Sequence, residues 1–357
     1  MRVALDATPL VLGSGGLRRY VEELSLGLAR QFPDDTFTLI SDQTFHLDAH
    51  DVPANLCCAA AVKSRADRKW WLAGAALATK RHNAQVFHGT NFEVPLLPVC
   101  PSVMTIHDLS PWKNQEWHPN GTRAGRRTPW LLRLQRARCI ITPSEAVRHE
   151  VLAHFGLRPE RVFAVPEAAA SQFRKTAPGE NGSCGAEPYL LFAGTLEPRK
   201  NIATLLSAWR EVRKQVRVGL VLVGRTRADG PAIESEPGLH LLGEVPDDRL
   251  AGLYSECAGF IYPSFYEGFG LPVLEAMQCG APVVISRDPA LQEVAGNAAL
   301  CADSVSEFAD AIRALLTHQE LAAALRQKGL ERALQFSWER TARMTRAVYE
   351  EAIGRIA

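Results

Sequence analysis

The sequence predicts an α/β protein of two doubly wound domains joined by a linker. Three observations carry that reading. Short apolar runs alternate with amphipathic helical patterns, as in parallel sheets flanked by helices. The alternation stops at a stretch rich in Gly, Pro and small polar residues, 175–188, and restarts after it. The chain has 357 residues, enough for two domains with a core each.

In the first domain, Val3-Ala4-Leu5-Asp6 reads as a strand, Gly13-Ser14-Gly15-Gly16 as a glycine turn, and 17–30 as a helix with Val21, Leu24 and Leu28 at helical spacing. The glycines lack the Gly-x-Gly-x-x-Gly order of a dinucleotide fingerprint. The turn then either faces a ligand's phosphates or is a plain structural turn. Further strands are expected at 36–40, 84–88, 103–106, 139–142 and 162–165. His107 follows one of them, and ligands of open α/β sheets bind outside the carboxyl ends of strands. A histidine satisfied by local hydrogen bonds is the competing reading. Ser144 suits the cap of a helix that stops near Gly156. Residues 123–138 gather Arg123, Arg126, Arg127, Arg133, Arg136 and Arg138 around Trp130 and three leucines. Such a segment suits an anionic membrane surface, or it is a solvated helix that packs its leucines on the sheet. His149 and His154 stand five apart, off the shared helix face that a zinc motif needs.

Beyond the linker, strands are expected at 189–193 and 218–223, with a polar turn at 194–201 and a helix at 202–214. The apolar run Gly259-Phe260-Ile261-Tyr262 opens the densest stretch of the chain, Glu267-Gly268-Phe269-Gly270-Leu271-Pro272-Val273-Leu274-Glu275. Its glycines permit a sharp bend, Pro272 suits a first helical turn, and Gly280 suits the stop. Glu267 and Glu275 bracket a helix start whose free N–H groups and dipole favour a phosphate. Asp247 and Asp248 read as caps for a helix over 249–257. A last helix, begun by Ser337, is expected to cross back to the first domain.

The net charge of +1 gives no field for nucleic acid. It is uneven, however: residues 1–175 hold 22 Lys and Arg against 16 Asp and Glu, and the remainder 18 against 23. A basic first half hints at an anionic partner or a membrane surface; chance and solvated faces are the competing reading. The eight cysteines include no Cys-x2-Cys pair, and their scatter through apolar runs fits a reducing cytosol. Asp6 falls where a signal peptide would be apolar, so a cytoplasmic location is expected, with peripheral contact at the inner face of the membrane as an option.

These residues resemble glycosyltransferase family 4 (glycosyl transferases group 1), and within it the bacterial mannosyltransferases of polysaccharide assembly. The segments that carry the resemblance are Gly15-Gly16-Leu17-Arg18-Arg19-Tyr20, Thr105-Ile106-His107-Asp108, Gly194-Thr195-Leu196-Glu197-Pro198-Arg199-Lys200-Asn201, Leu222-Val223-Gly224, Leu242-Gly243-Glu244-Val245-Pro246 and the stretch from Glu267 to Glu275. The resemblance implies the GT-B architecture, two Rossmann-like domains facing across a cleft: 1–176, a linker at 177–188, and 189–337, with a helix over about 338–357 packed back on the first. It implies a retaining transfer of a hexose from a nucleotide-sugar donor, GDP- or UDP-linked, to a saccharide or lipid-linked saccharide acceptor. No metal, no further cofactor and no nucleic acid are expected. By motif position, Glu267 and His107 would meet the transferred sugar and Glu275 the ribose. Lys200, the amides of Phe269, Gly270 and Leu271, and Gly15 and Gly16 would meet the diphosphate, with Gly224, Val245 and Asp247 on the donor side. The family's arginine before the lysine is replaced by Thr195, and Arg199 or Arg225 is expected to supply its charge. The first guess for the donor is GDP-mannose. A UDP-glucose glucosyltransferase, a sugar-nucleotide epimerase, a glycosidase using both glutamates, and a catalytically silent nucleotide-sugar-binding protein are the alternatives.

Overall fold

The computed structural model describes residues 1–48, 51–59, 69–118, 121–177, 179 and 187–354. Most of the expected linker, including Cys184, lies outside the described residues. The chain forms two compact units, residues 1–167 with 337–357, and residues 168–336.

The first unit holds a seven-stranded parallel sheet in the order β3-β2-β1-β4-β5-β6-β7. Its strands are β1 Arg2–Asp6, β2 Thr36–Ile40, β3 Leu56–Cys58, β4 Val86–Gly89, β5 Ser102–Thr105, β6 Cys139–Thr142 and β7 Val162–Ala164. Between them run α1 Gly16–Gln31, α2 Ala75–Arg81, α3 Ser110–Lys113, α4 Arg123–Arg133 and α5 Glu145–Phe155. Ser144 caps α5, its hydroxyl accepting from the Val147 amide at 3.2 Å, and Gly156 ends it in the left-handed region. In α4, Leu131 and Leu132 are buried while Trp130 is 62 % exposed, so the leucines face the interior and the tryptophan faces solvent.

The second unit holds a six-stranded parallel sheet in the order β10-β9-β8-β11-β12-β13. Its strands are β8 Tyr189–Ala193, β9 Gly219–Val223, β10 Leu239–Gly243, β11 Gly259–Tyr262, β12 Val283–Ile285 and β13 Ala299–Cys301. Its helices are α6 Ile202–Val212, α7 Asp247–Glu256, α8 Leu271–Gln278, α9 Pro289–Ala295, α10 Val305–Thr317 and α11 Gln319–Ala333. Every residue of β8, β9, β11 and β12 is buried, as continuous apolar strands covered on both faces require.

In each sheet the chain winds outward from one strand, then reverses past it. The reversal falls between β1 and β4 in the first unit and between β8 and β11 in the second. At such a switch point the loops leave in opposite directions and open a crevice at the carboxyl ends.

Three sequence expectations need correction. Residues 168–176, grouped with the first domain by sequence, belong to the second compact unit. Phe173 is fully buried in that unit's core against Tyr254, and Gln278 Nε2 donates to the carbonyls of Ala170 and Phe173 at 3.0 and 2.6 Å. Asp247 and Asp248 are not caps: α7 begins at Asp247 behind Pro246, so both acids lie in its first turn. There their charge still complements the helix dipole. The helix pattern at 202–214 ends two residues early, at Val212. The last helix, α12 Trp338–Gly354, belongs to the first unit as expected and packs on α1. Gly27 allows that contact, since a Cβ there would sit 3.2 Å from the Trp338 carbonyl oxygen.

Candidate functional site

The second unit brings its charged residues together at the switch point. The loop after β8 carries Thr195, Glu197, Arg199, Lys200 and Asn201, and the loop after β11 carries Glu267. Backbone bonds lace these loops together: the Phe265 amide donates to the Arg199 carbonyl at 2.9 Å, and Asn201 Nδ2 donates to the Pro263 carbonyl at 3.2 Å. Asn201 sits in the left-handed region (φ 53°), which asparagine tolerates better than most residues.

Lys200 is buried, and its ammonium donates to Glu267 Oε1 at 2.5 Å and to the Tyr262 hydroxyl at 2.7 Å. Arg199 lies 3.4 Å from the other Glu267 oxygen and donates to the Tyr266 carbonyl at 3.0 Å. Burial alone would raise the Glu267 carboxyl, but the charges of Lys200 and Arg199 outweigh it and hold Glu267 below the usual carboxylate range. Glu197 closes the network from behind, accepting from Arg199 Nη2 at 3.0 Å and from Arg227 Nη1 at 2.6 Å. Arg199 is therefore an ion-paired member of the site, not an exposed turn arginine, whereas Arg225 is exposed.

Glu267 is also fixed through its backbone. Its amide lies 3.3 Å from Asp288 Oδ2, while Asp288 Oδ1 caps α9 through the amides of Ala290 and Leu291. Burial pushes the Asp288 carboxyl up to about 6. Sequence reading missed Glu197, Arg227, Tyr262 and Asp288. Of these, Glu197 lay inside a quoted motif beside its partner Arg199, but its other partner, Arg227, lies thirty positions on.

Three residues on, α8 starts with Gly270 as its N-cap in a positive-φ conformation (109°). A Cβ there would meet Leu291 Cδ2 at 2.6 Å. Phe269 and Leu271 are buried, so this turn offers backbone N–H groups rather than side chains. Glu275, one turn into α8, is 2 % exposed, and the Tyr254 hydroxyl lies 3.3 Å from its Oε2. The two glutamates therefore occupy different surroundings. Gly224 (φ 128°), just after β9, lies so close to Gly194 that a Cβ would sit 2.1 Å from the Gly194 oxygen. Thr195 and Val245 are half-buried, and Asp247 accepts from Gln172 at 2.9 Å.

The first unit places its candidates at the carboxyl ends of its own strands. Gly15 is the N-cap of α1 with φ 107° and open space where a Cβ would point, and Gly16 begins the helix. His107 follows β5. Its Nε2 lies 2.8 Å from the Thr90 carbonyl oxygen, its Nδ1 lies 3.4 Å from Glu167 Oε1, and its ring meets the Tyr20 ring edge-on at 4.8 Å. Asp6 ends β1, fully buried; its Oδ1 accepts from the amide and hydroxyl of Thr8, and its Oδ2 has no hydrogen-bond partner among the described residues. Burial pushes this carboxyl up to about 7, with Glu93 and Asp42 adding to the rise. Within β4, His88 bridges Tyr349 of α12 and Thr105, each at 2.8 Å, and burial holds it neutral, down to about 3.

Two family models match the chain: Glycosyltransferase Family 4 over residues 14–169 and Glycosyl transferases group 1 over 187–318. The O-antigen chain mannosyltransferase B of Escherichia coli is 34 % identical over 297 residues, which is 77 % of this chain and 76 % of that protein. The MMP alpha-(1->4)-mannosyltransferase of Mycolicibacterium hassiacum is 32 % identical over 61 % of this chain and 55 % of its own length. The chain spans about a third of the serotype-specific mannosyltransferase WbdA of Escherichia coli, at 27 % identity. Among solved structures, a sucrose-phosphate synthase from Thermosynechococcus elongatus superposes with a TM-score of 0.74, covering 99 % of both chains at 19 % identity. Anabaena HepE, solved with UDP and glucose, gives 0.73 over 98 % of this chain and all of its own, at 17 % identity. At such identities the likeness speaks for the fold alone. The chain belongs to glycosyltransferase family 4, a glycosyltransferase of the GT-B fold class with O-antigen mannosyltransferases among its relatives.

Proposed function

We propose that the chain is a retaining mannosyltransferase that takes mannose from GDP-mannose and passes it to a saccharide or lipid-linked saccharide. The observation that carries this reading is the gathering of Lys200 and Arg199 on Glu267, at the switch point and beside the start of α8 at Gly270. Cleaving a glycosyl phosphate leaves a diphosphate whose growing charge needs cations and N–H donors fixed in advance. Lys200, Arg199 and the amides around Phe269, Gly270 and Leu271 are those donors, with Thr195 and Gly224 on the same side. Glu275 takes the ribose hydroxyls, Val245 flanks the base, and Asp247 accepts from the N1–H and amine of guanine. Mannose is favoured because the relatives with the higher identities are themselves mannosyltransferases.

Glu267 is given the sugar hydroxyls rather than a covalent role. A carboxylate held between two cations is a weak nucleophile and a poor proton donor, which disfavours the paired-acid chemistry of a glycosidase. Same-face attack, with the leaving diphosphate accepting the acceptor's proton, needs no protein nucleophile. The cations of Lys200 and Arg199 also make a divalent metal dispensable, so turnover should survive a chelator; loss on chelation and recovery with added metal would refute this part. Thermal shifts with GDP, UDP and ADP test the base. Selective stabilisation by GDP is expected, and selective stabilisation by UDP would overturn the mannose assignment.

The acceptor is assigned to the first domain, with His107 on its reacting side. Among the described residues no helix is long and apolar enough to cross a membrane. A cytoplasmic protein that touches the inner face of the membrane through α4 fits the exposed Trp130, with Arg133 5.9 Å from its ring. Co-sedimentation with anionic but not neutral vesicles is the expected result, and none with either would remove the membrane contact.

A further inference from the structure

We propose, resting on the assignment of the acceptor to the first domain, that Phe92 is an acceptor-recognition residue. Its ring is the platform on which the C–H face of an acceptor pyranose lies, next to His107.

The backbone of Phe92 points to this role. Among the described residues, four that are not glycine have positive φ: Asn83, Phe92, Gln135 and Asn201. Asparagine tolerates that region. Gln135 lies just past the end of α4, where a left-handed residue commonly closes a helix. Phe92, at φ 62°, has neither reason, and a bulky side chain there is an outlier. Such strain persists only where the surroundings over-determine it, and it gathers at ligand sites.

The surroundings do over-determine it. The Phe92 amide donates to the Thr105 carbonyl at 2.9 Å, and the Phe92 carbonyl accepts from Thr128 Oγ1 at 2.9 Å. On one side, Thr90 Oγ1 donates to the Asp6 carbonyl at 2.8 Å. On the other, Glu93 is buried and paired with Arg123 at 3.0 Å and Arg127 at 3.3 Å. The Glu93 carbonyl oxygen packs so tightly on Gly89 that a Cβ there would lie 1.7 Å from it. The loop 90–93 thus holds one shape, and that shape presents a half-buried phenyl ring. The ring meets His107 at 6.2 Å and Trp112 at 6.1 Å, and neither neighbour stacks on it.

The place fits a sugar. The loop leaves β4 at the reversal between β1 and β4, where a wound sheet opens its crevice. Pyranose C–H bonds carry a slight positive charge that suits the negative face of an aromatic ring. At the same strand ends, Asn91 Oδ1 and Asp6 Oδ2 are buried with no hydrogen-bond partner among the described residues. An acceptor left without a donor is costly, and a sugar hydroxyl supplies one, directly or through a water.

The probe is methyl α-mannopyranoside, added to the full-length protein with 13C-labelled phenylalanine rings. The Phe92 signal, assigned with Phe92→Tyr, should shift on titration. By saturation-transfer NMR, Phe92→Leu should weaken binding about three- to tenfold, and Phe92→Tyr should keep it within about twofold, because only the second retains an aromatic face. Leucine replaces the apolar bulk, so a packing role alone would leave binding unchanged. In turnover with GDP-mannose, Phe92→Leu should raise KM for the glycoside by the same factor and leave KM for the donor unchanged. Phe92→Gly should melt above Phe92→Ala, because both lose the ring and only alanine keeps the backbone strain. A Phe92 signal that stays still, or equal binding by Phe92→Leu and the wild type, overturns the inference; an alanine variant that melts at or above the glycine one overturns the strain argument beneath it. Phe92-dependent binding without turnover of GDP-mannose supports the platform and overturns the donor reading instead.

Discussion

Lys200 has two tasks that a substitution can separate. In the folded chain it neutralises Glu267 inside the protein, and in the proposed reaction it faces the diphosphate. Lys200→Ala should slow turnover by about two to three orders of magnitude, the usual loss for one donor aimed at developing charge. It should also destabilise the second unit by roughly 3–5 kcal/mol, because a buried carboxylate loses its partner, and Arg199 should soften that loss. Steady-state turnover and urea denaturation measure the two separately. Asp6 gives a second test at this scale. Its pKa of about 7 exceeds the ordinary value, so the native state holds a proton there that the unfolded chain has released. Stability from this group is full below about pH 4 and is lost as pH rises toward 7. The change is at most roughly 4 kcal/mol, because each tenfold difference in proton affinity is worth about 1.4 kcal/mol. His88 acts in the opposite direction below its ordinary range, so the wild-type curve alone will mislead. The difference between Asp6→Asn and wild type isolates the carboxyl: the variant should gain on the wild type between about pH 4 and pH 7. Equal slopes would refute the burial argument.

At the scale of elements, two loops and one helix start build the proposed donor site, and glycines set their geometry. Gly224→Ala and Gly270→Ala both force an alanine into positive φ, yet they should differ in severity. At Gly270 the new Cβ meets a side-chain methyl of Leu291, which can rotate; at Gly224 it meets a backbone oxygen at 2.1 Å, which cannot. Gly270→Ala should therefore cost about 1–3 kcal/mol and mainly weaken donor binding as the α8 amides shift. Gly224→Ala should be the more destabilising of the two in thermal melts. These loops were legible in the sequence because their signals are local: Arg-Lys-Asn after one strand, glycines and proline around the next helix start. What joins them was not legible. Glu197 and Arg227 are thirty positions apart, and Asp288 reaches Glu267 from the start of another helix, so only the wound sheet brings them together. The start of α7 was misread for a related reason, since two acids at a helix entrance look alike as caps or as first-turn residues.

At the scale of the whole chain, the fold class was legible because the strand–helix alternation occurs twice. The ownership of segments was not. Residues 168–176 carry no strong pattern, and Phe173 settles them by filling the second core. The C-terminal helix is tied to the first unit by a bond between His88 and Tyr349, 261 positions apart, and by Arg346 on Asp35 at 2.6 Å. A chain ending at residue 336 should therefore lose hydrogen-exchange protection throughout the first sheet while the strands β8 to β12 keep theirs. Equal loss in both units would contradict that division. Donor chemistry is the centre of the proposed activity, and turnover of GDP-mannose followed by proton NMR tests it most directly. With a suitable saccharide acceptor, GDP should be released and an α-mannoside formed by the wild type and nearly lost in Lys200→Ala. Turnover confined to a UDP-sugar, or a β-linked product, would contradict it.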